Sequence, residues 1–421
     1  MLILAAAAFS LPVAVSAEEI FLDGFERLPP PKFFLDENGV TIRCPEAEIG
    51  ESGVVDGVTY TKRSRDQITA ANAATTCTSG ITDMSSLFAN DSDFNADISH
   101  WDTSSVINMA EMFFAAASFN QSLASWDTAM VRNMSSMFGG NAFGDLVGAQ
   151  AFNQPLNTWN TSAVLTMAGM FAGASSFNQP LHAWDTSAVT DMSFMFSGAS
   201  SFNQPIANWN TGTVTNMSFM FGVPLLTNGS TQAFNQPLGT WDTRSVTNMS
   251  SMFEKASSFD GSLDGWDTSS VITMNAMFSQ ASSFNQPLAN WDTSSVVDMS
   301  GLFRDASSFN QPIGNWNVSS VNDLNVTFQG ATAFNQPLGD WDTRSVTVMS
   351  SMFDRASSFD QPLNRWDTSS VSDMTAMFNG ASSFNRNLSS WCVSLIPTTP
   401  SSFDAGAVAW NEPRPVWGTC P

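Results

Sequence analysis

Tryptophan recurs in this chain with a fixed period. Trp101, Trp126, Trp159, Trp184, Trp209, Trp241, Trp266, Trp291, Trp316, Trp341, Trp366 and Trp391 are 25 residues apart in nine of eleven intervals, and 33 and 32 apart in the other two. A period of roughly 20–50 residues marks a chain that stacks one small unit, none of which can bury its apolar face alone. One elongated array therefore replaces the separate globular domains that 421 residues would otherwise suggest. The period also weighs against catalysis by the recurring residues, since a side chain needed in every unit is first of all a packing residue.

Spelled out, the unit is W-D-T-S-S-V-x-x-M-S-x-M-F-x-x-A-S-S-F-N-Q-P-L-x-x. Its pattern predicts a repeat solenoid with one short parallel strand and one short helical turn per unit. The strand is expected in Leu-x-x-Trp-Asp-Thr, with Leu123 and Trp126 pointing inward. The helical turn is expected in Met-Ser-x-Met-Phe, whose i, i+3, i+4 spacing suits one helix face. Of the 22 methionines, 20 occupy those two positions. Core packing against phenylalanine explains them better than a thioether copper site, because Leu302, Leu324 and Thr327 interrupt the series.

The boundaries follow from where the pattern starts and stops. Residues 1–17 read as a signal peptide, with an apolar stretch and a small-x-small end at Val15-Ser16-Ala17, and 18–43 as a linker. Residues 44–80 form an N-terminal cap with a hairpin signal, VVDGVTY, at Val54–Tyr60 and a polar, helix-compatible stretch after it. About twelve repeats fill 81–391. The two long intervals are insertions near 139–151 and 222–233, both between Met-Phe and the next Phe-Asn. A C-terminal cap takes 392–421. The four cysteines, Cys44, Cys77, Cys392 and Cys420, flank the repeats in two pairs, which predicts one disulfide per cap, Cys44–Cys77 and Cys392–Cys420.

Composition narrows the partners. With 15 Lys plus Arg against 38 Asp plus Glu, the formal net charge is −23. Such a surface repels nucleic acid and anionic lipid. No further apolar stretch reaches transmembrane length. The Asp or Asn after most of the tryptophans, with T-S-S behind it in the typical unit, predicts an Asx turn that opens the helical turn. No cofactor is expected; calcium on a ladder of these carboxylates is the one alternative, weakened by Asn160, Asn210 and Asn317. The recurrent Asn of F-N-Q, as in Asn120, Asn153 and Asn178, predicts a buried amide ladder between units. The only histidines, His100 and His182, stand at variable positions, and no nucleophile–base or phosphate-binding motif accompanies them.

Recognition is then expected where units differ. One variable pair lies between Leu and Trp, with His182, Asp264, Asp340 and Arg365. The other follows Met-Phe, with Glu254, Lys255, Arg304, Asp305, Asp354 and Arg355. As a whole, the unit FNQPLxxWDTSSVxxMSxMFxxASS resembles that of the BspA-like leucine-rich-repeat surface proteins, whose 25-residue repeat is also found in mycoplasma surface lipoproteins. The resemblance spans Ile81 to Trp391. It implies a right-handed bacterial solenoid, secreted or at the cell surface, that acts in adhesion or protein binding. It carries over no binding residue, and the lipid-attachment cysteine of the mycoplasma members is missing. The expected function is binding of an extracellular protein or glycan through an extended face. The alternative is a self-associating matrix or envelope protein; a hydrolase hidden in the short insertions is disfavoured.

Overall fold

The computed structural model describes residues 31–141, 148–224 and 232–421; the expected signal peptide lies outside them. Among the described residues, regular strands are confined to the N-terminal end, ahead of the repeats. There β1 (Phe34–Leu35) pairs antiparallel with β2 (Ile42–Arg43), and β3 (Ser52–Val55) with β4 (Val58–Lys62), whose other edge takes β5 (Thr76–Cys77) in parallel. The hairpin turns on Asp56 and Gly57, both at positive φ (51° and 82°), the pair of left-handed residues a tight two-residue hairpin demands. The polar stretch after it makes only two 3-10 turns, Arg65–Gln67 and Ala73–Thr75. Phe33 and Ile42 are buried in the same small core as Cys44, Val55 and Cys77, so the cap reaches back into the segment expected to be linker. Disulfides Cys44–Cys77 and Cys392–Cys420 close the two caps.

Between the caps the chain is a stack of turns, each touching the next with equivalent residues. The recurring apolar side chains all point inward. Trp, Val, both Met, both Phe, Ala and Leu of nearly every unit are almost completely buried. Tryptophan rings stack on one another from Trp101 to Trp316, and again from Trp341 to Trp391, at 6.0–6.5 Å and within 4° of parallel. Two phenylalanine columns run beside them and pair closely within each unit, as Phe113 with Phe119 at 3.9 Å and Phe253 with Phe259 at 4.0 Å. Burying one such side chain contributes about 1.5–3 kcal/mol, so each unit is held mainly by its neighbours.

Two expectations about the backbone need correction. Inward-pointing Leu123 and Trp126 do not lie on a paired strand. Parallel pairing instead falls on a single residue per unit, seven after the tryptophan, in an unbroken row from Asp83 through Asn108, Asn133 and Thr166 to Asp373. Nor is Met-Ser-x-Met-Phe helical. The amide of Met112 returns to the carbonyl of Met109 at 3.3 Å, and the second of the two residues between them, Glu111, has a φ of 57°. This is a β-turn with a left-handed third residue, repeated at Ser136 (51°), Ala276 (54°), Ser351 (52°) and Ala376 (55°), with glycine there at Gly169 and Gly301. A second left-handed residue ends the segment, at Ala115, Lys255, Asp305 or Arg355. In a helix the amides would be consumed within the segment. Here those of Met109, Glu111, Phe113 and Ala115 donate to Asn133, Ser135, Met137 and Gly139 of the next unit, at 2.8–2.9 Å.

Polar ladders reinforce the stack. Thr of W-D-T donates its hydroxyl to the backbone carbonyl after the next tryptophan, as Thr161 to Asp185 and Thr268 to Asp292 at 2.8 and 2.9 Å. Most indole nitrogens of the repeats donate to a Leu or Ile carbonyl, Trp184 to Leu156 at 3.0 Å for example, whereas Trp101 donates to Ala73 and the Trp291 nitrogen is unpaired among the described residues. The asparagine ladder forms: the amide of Asn178 donates to the Asn153 side chain, and that of Asn203 to Asn178, both at 3.0 Å. It lies at the surface rather than in the core, Asn153 being exposed.

Candidate functional site

The ridge between Leu and Trp is shaped by the residues around it. Leu338 and Trp341 are buried, and the Trp341 amide donates to the Leu338 carbonyl at 3.1 Å. That tight turn leaves the two intervening residues no room inside, so they project. His182, Asp264, Asp340 and Arg365 are accordingly all exposed. They are spread along the stack rather than gathered. His182 reaches Asn157 of the preceding unit at 3.3 Å, and Arg365 pairs with Asp340 across one junction. Beside that pair lies an open groove of about 510 Å³, lined by Pro312, Gly314, Asn315, Pro337, Gly339 and Asp340 together with the edge of Trp316. Glycine is needed there: a methyl carbon on Gly314 would sit 2.5 Å from the Pro337 carbonyl of the next unit. A second groove of about 300 Å³ follows, between Pro362 and Arg386.

The pair after Met-Phe behaves differently. Glu254 and Asp354, expected at the surface, are buried, and Arg304 and Asp305 are half-buried. The groups spend their charge on each other across unit junctions. Asp354 accepts from Gln329 at 2.7 Å and Asn379 at 2.8 Å and meets Arg355 at 3.5 Å; Arg355 also reaches Asp305 at 3.6 Å. Lys255 donates to the Pro224 carbonyl at 3.1 Å. Burial pushes the Glu254 carboxyl up to about 7 and the Lys255 ammonium down. Lys255 is half-buried and Arg355 stays exposed, and the contacts of the group tie units together.

The carboxylates weighed as calcium ligands are engaged locally. Asp185, Asp267, Asp292 and Asp367 cap the amide two residues on, forming the expected Asx turns without the helical turn. Serine hydroxyls hold all four below the usual carboxylate range, and the Arg244 guanidinium does the same for Asp242. Among the described residues no three His, Cys, Asp or Glu side chains converge as a metal site would require. Residues 142–147 and 225–231, the middles of the two insertions, lie outside the described residues.

Sequence reasoning missed several anchoring groups. His100 is buried, with its ring nitrogen 3.0 Å from the Thr76 carbonyl and its ring tilted on Tyr60; burial pushes its imidazole down. Arg43 binds Asp36 at 2.6 Å and lies 3.8 Å from the buried Asp102, joining cap to array. Nothing in single residues signals these contacts, which depend on how the cap sits. The exposed Ile107, Leu165, Ile272 and Val297 share one place per unit, just after the buried Val, and their recurrence was the available signal.

The family described as Mycoplasma protein of unknown function, DUF285, matches over residues 60–145, 145–230, 226–338 and 311–417. Neither the curated proteins nor the solved structures yield a match. The matches begin inside the hairpin of the N-terminal cap, run through the stacked turns and end near the last tryptophan. This chain is a repeat protein of the DUF285 family.

Proposed function

We propose that the chain is a secreted or cell-surface solenoid, akin to the BspA-like leucine-rich-repeat proteins, that binds an extracellular protein or glycan through its Leu–Trp ridge. The observation that carries the reading is the contrast along that ridge. A constant frame of buried Leu and Trp presents side chains that differ from unit to unit, and an open groove of about 510 Å³ lies among them. Constant frame with variable display is how repeat arrays separate stability from recognition. Two disulfides suit an oxidising compartment. No helix among the described residues is long and apolar enough to cross a membrane. Amides, carboxylate and proline around the groove suit hydrogen bonding to a sugar or an extended peptide, so we read it as a binding surface and not a catalytic one.

The test is capture of surface proteins and glycans from host or neighbouring cells by the oxidised chain, compared with the double variant Asp340→Ala/Arg365→Ala. Saturable binding weakened about tenfold or more by the variant is the expected result, the loss of one or two good contacts. Absence of saturable binding, or binding the double variant retains in full, rejects the ridge.

A further inference from the structure

The Met-Phe row of the stack is polar from end to end. Along the Met-Phe segment of each junction the backbone donors lie on the earlier unit and the acceptors on the later one, as in Met109, Glu111, Phe113 and Ala115 donating to Asn133, Ser135, Met137 and Gly139, while a second row runs the other way, with Arg132 donating to Ile107 and Leu165 to Arg132. The last full unit keeps the rule: Ala376, Phe378 and Gly380 donate to Ser401, Phe403 and Ala405 of the C-terminal cap. That cap segment repeats the backbone of a unit, with left-handed residues at Ser402 (54°) and Gly406 (78°). Its own outward amides, those of Ser402, Asp404 and Gly406, have no partner among the described residues. Ser402 and Gly406 are exposed.

The other end is the complement. The entry turn uses its amides inward, Ser86 donating to Ala110 and Phe88 to Met112. Its carbonyls at Leu87 and Ala89 have no partner among the described residues, and Ser85 accepts one bond from Arg65 with a lone pair to spare. In this row one end therefore offers donors and the other acceptors, in the register that the row keeps at every internal junction. The five most exposed large apolar side chains among the described residues, Ile49, Val54, Leu395, Val408 and Val416, all lie in the two caps.

We infer that copies of this chain dock end to end, with the amides of Ser402, Asp404 and Gly406 donating to the carbonyls of Ser85, Leu87 and Ala89 of a second copy. An open edge is a template for pairing. Because donor and acceptor edges lie at opposite ends, the contact is heterologous and propagates instead of closing as a dimer. It does not rest on the ligand reading of the ridge. A charge of −23 on each copy opposes the contact and is screened by salt, so assembly strengthens as ionic strength rises.

Two blocked variants of the full oxidised chain test this, Ala405→Arg at the donor end and Ala89→Arg at the acceptor end. The unmodified chain is expected to grow in mass with concentration and salt in light scattering. Amide exchange at Ser402, Asp404 and Gly406 should slow about tenfold or more as it does so. Each blocked variant alone stays monomeric, and an equal mixture stops at one-to-one dimers, which shows that both are folded. A monomeric unmodified chain at every soluble concentration overturns the proposal, as does assembly of either variant by itself or a mixture that forms no dimer.

Discussion

At the scale of single residues, the charged groups divide by environment more than by sequence type. Asp340 and Glu254 both occupy variable positions, yet one is exposed on the ridge and the other is buried against a neighbouring unit. The variable pair after Met-Phe could not be placed from sequence because its burial depends on what the next unit offers, such as Gln329 and Asn379 around Asp354. Burial of Glu254 has a measurable consequence. Its carboxyl is raised from 4.5 to about 7, so the folded chain holds that proton more tightly than the unfolded one. The contribution is fully present below pH 4.5, declines as pH rises through 7, and amounts to roughly 3 kcal/mol. Urea unfolding at pH 5 and pH 8 should therefore show a larger loss for the unmodified chain than for Glu254→Gln; equal losses would mean the carboxyl is solvated. His100 acts in the opposite sense. Its imidazole lies below the ordinary 6.5, so its share of stability is lost as pH falls below that value.

At the scale of the turn, the repeating element is held by backbone conformations that most of its residues dislike. The left-handed residue before the second Met is glycine in only two described units, at Gly169 and Gly301. A methyl group on Gly301 would make ordinary contact with the Val326 side chain at 3.6 Å, so Gly301→Ala isolates the backbone term. The variant should lose about 1 kcal/mol in chemical denaturation. Ala276→Gly, at the same place in the preceding unit, should lose nothing. A cost below the measurement error for Gly301→Ala would contradict the left-handed turn. This element also marks how far the sequence could be read. Its period, inward Trp and Leu, Asx turns, hairpin and disulfide partners were all legible, because each depends on residue type and spacing alone. The turn was not. Met109, Met112 and Phe113 have a spacing that serves a helix face and a tight turn equally, and the choice is made by amides that reach the next unit. The hydroxyl of Thr268 looked like part of a local turn for the same reason: its partner, Asp292, is 24 residues away. The ridge was legible as a variable position, whereas the groove beside it was not, since it arises from the approach of Gly314 to Pro337.

At the scale of the whole molecule, a stack whose units pack on their immediate neighbours, with the Arg355–Asp305 contact spanning two, must fray from its ends. The caps oppose this, and their disulfides close segments of 33 and 28 residues. Reduction should cost about 3 kcal/mol per bridge, read as a lower unfolding midpoint. It should also bring faster amide exchange in the terminal units first; uniform loss of protection along the array would argue against end-fraying. The tryptophan column adds an optical property to this mechanical one. Neighbouring indoles are nearly parallel, 6.0–6.5 Å apart, and most bond equivalent carbonyls, so their transition dipoles share one orientation. Excitation absorbed by one ring can pass along the row without losing its polarisation. Emission is then expected from wherever that migration is trapped within each stacked run, Trp101 to Trp316 and Trp341 to Trp391, until a frayed end shortens it.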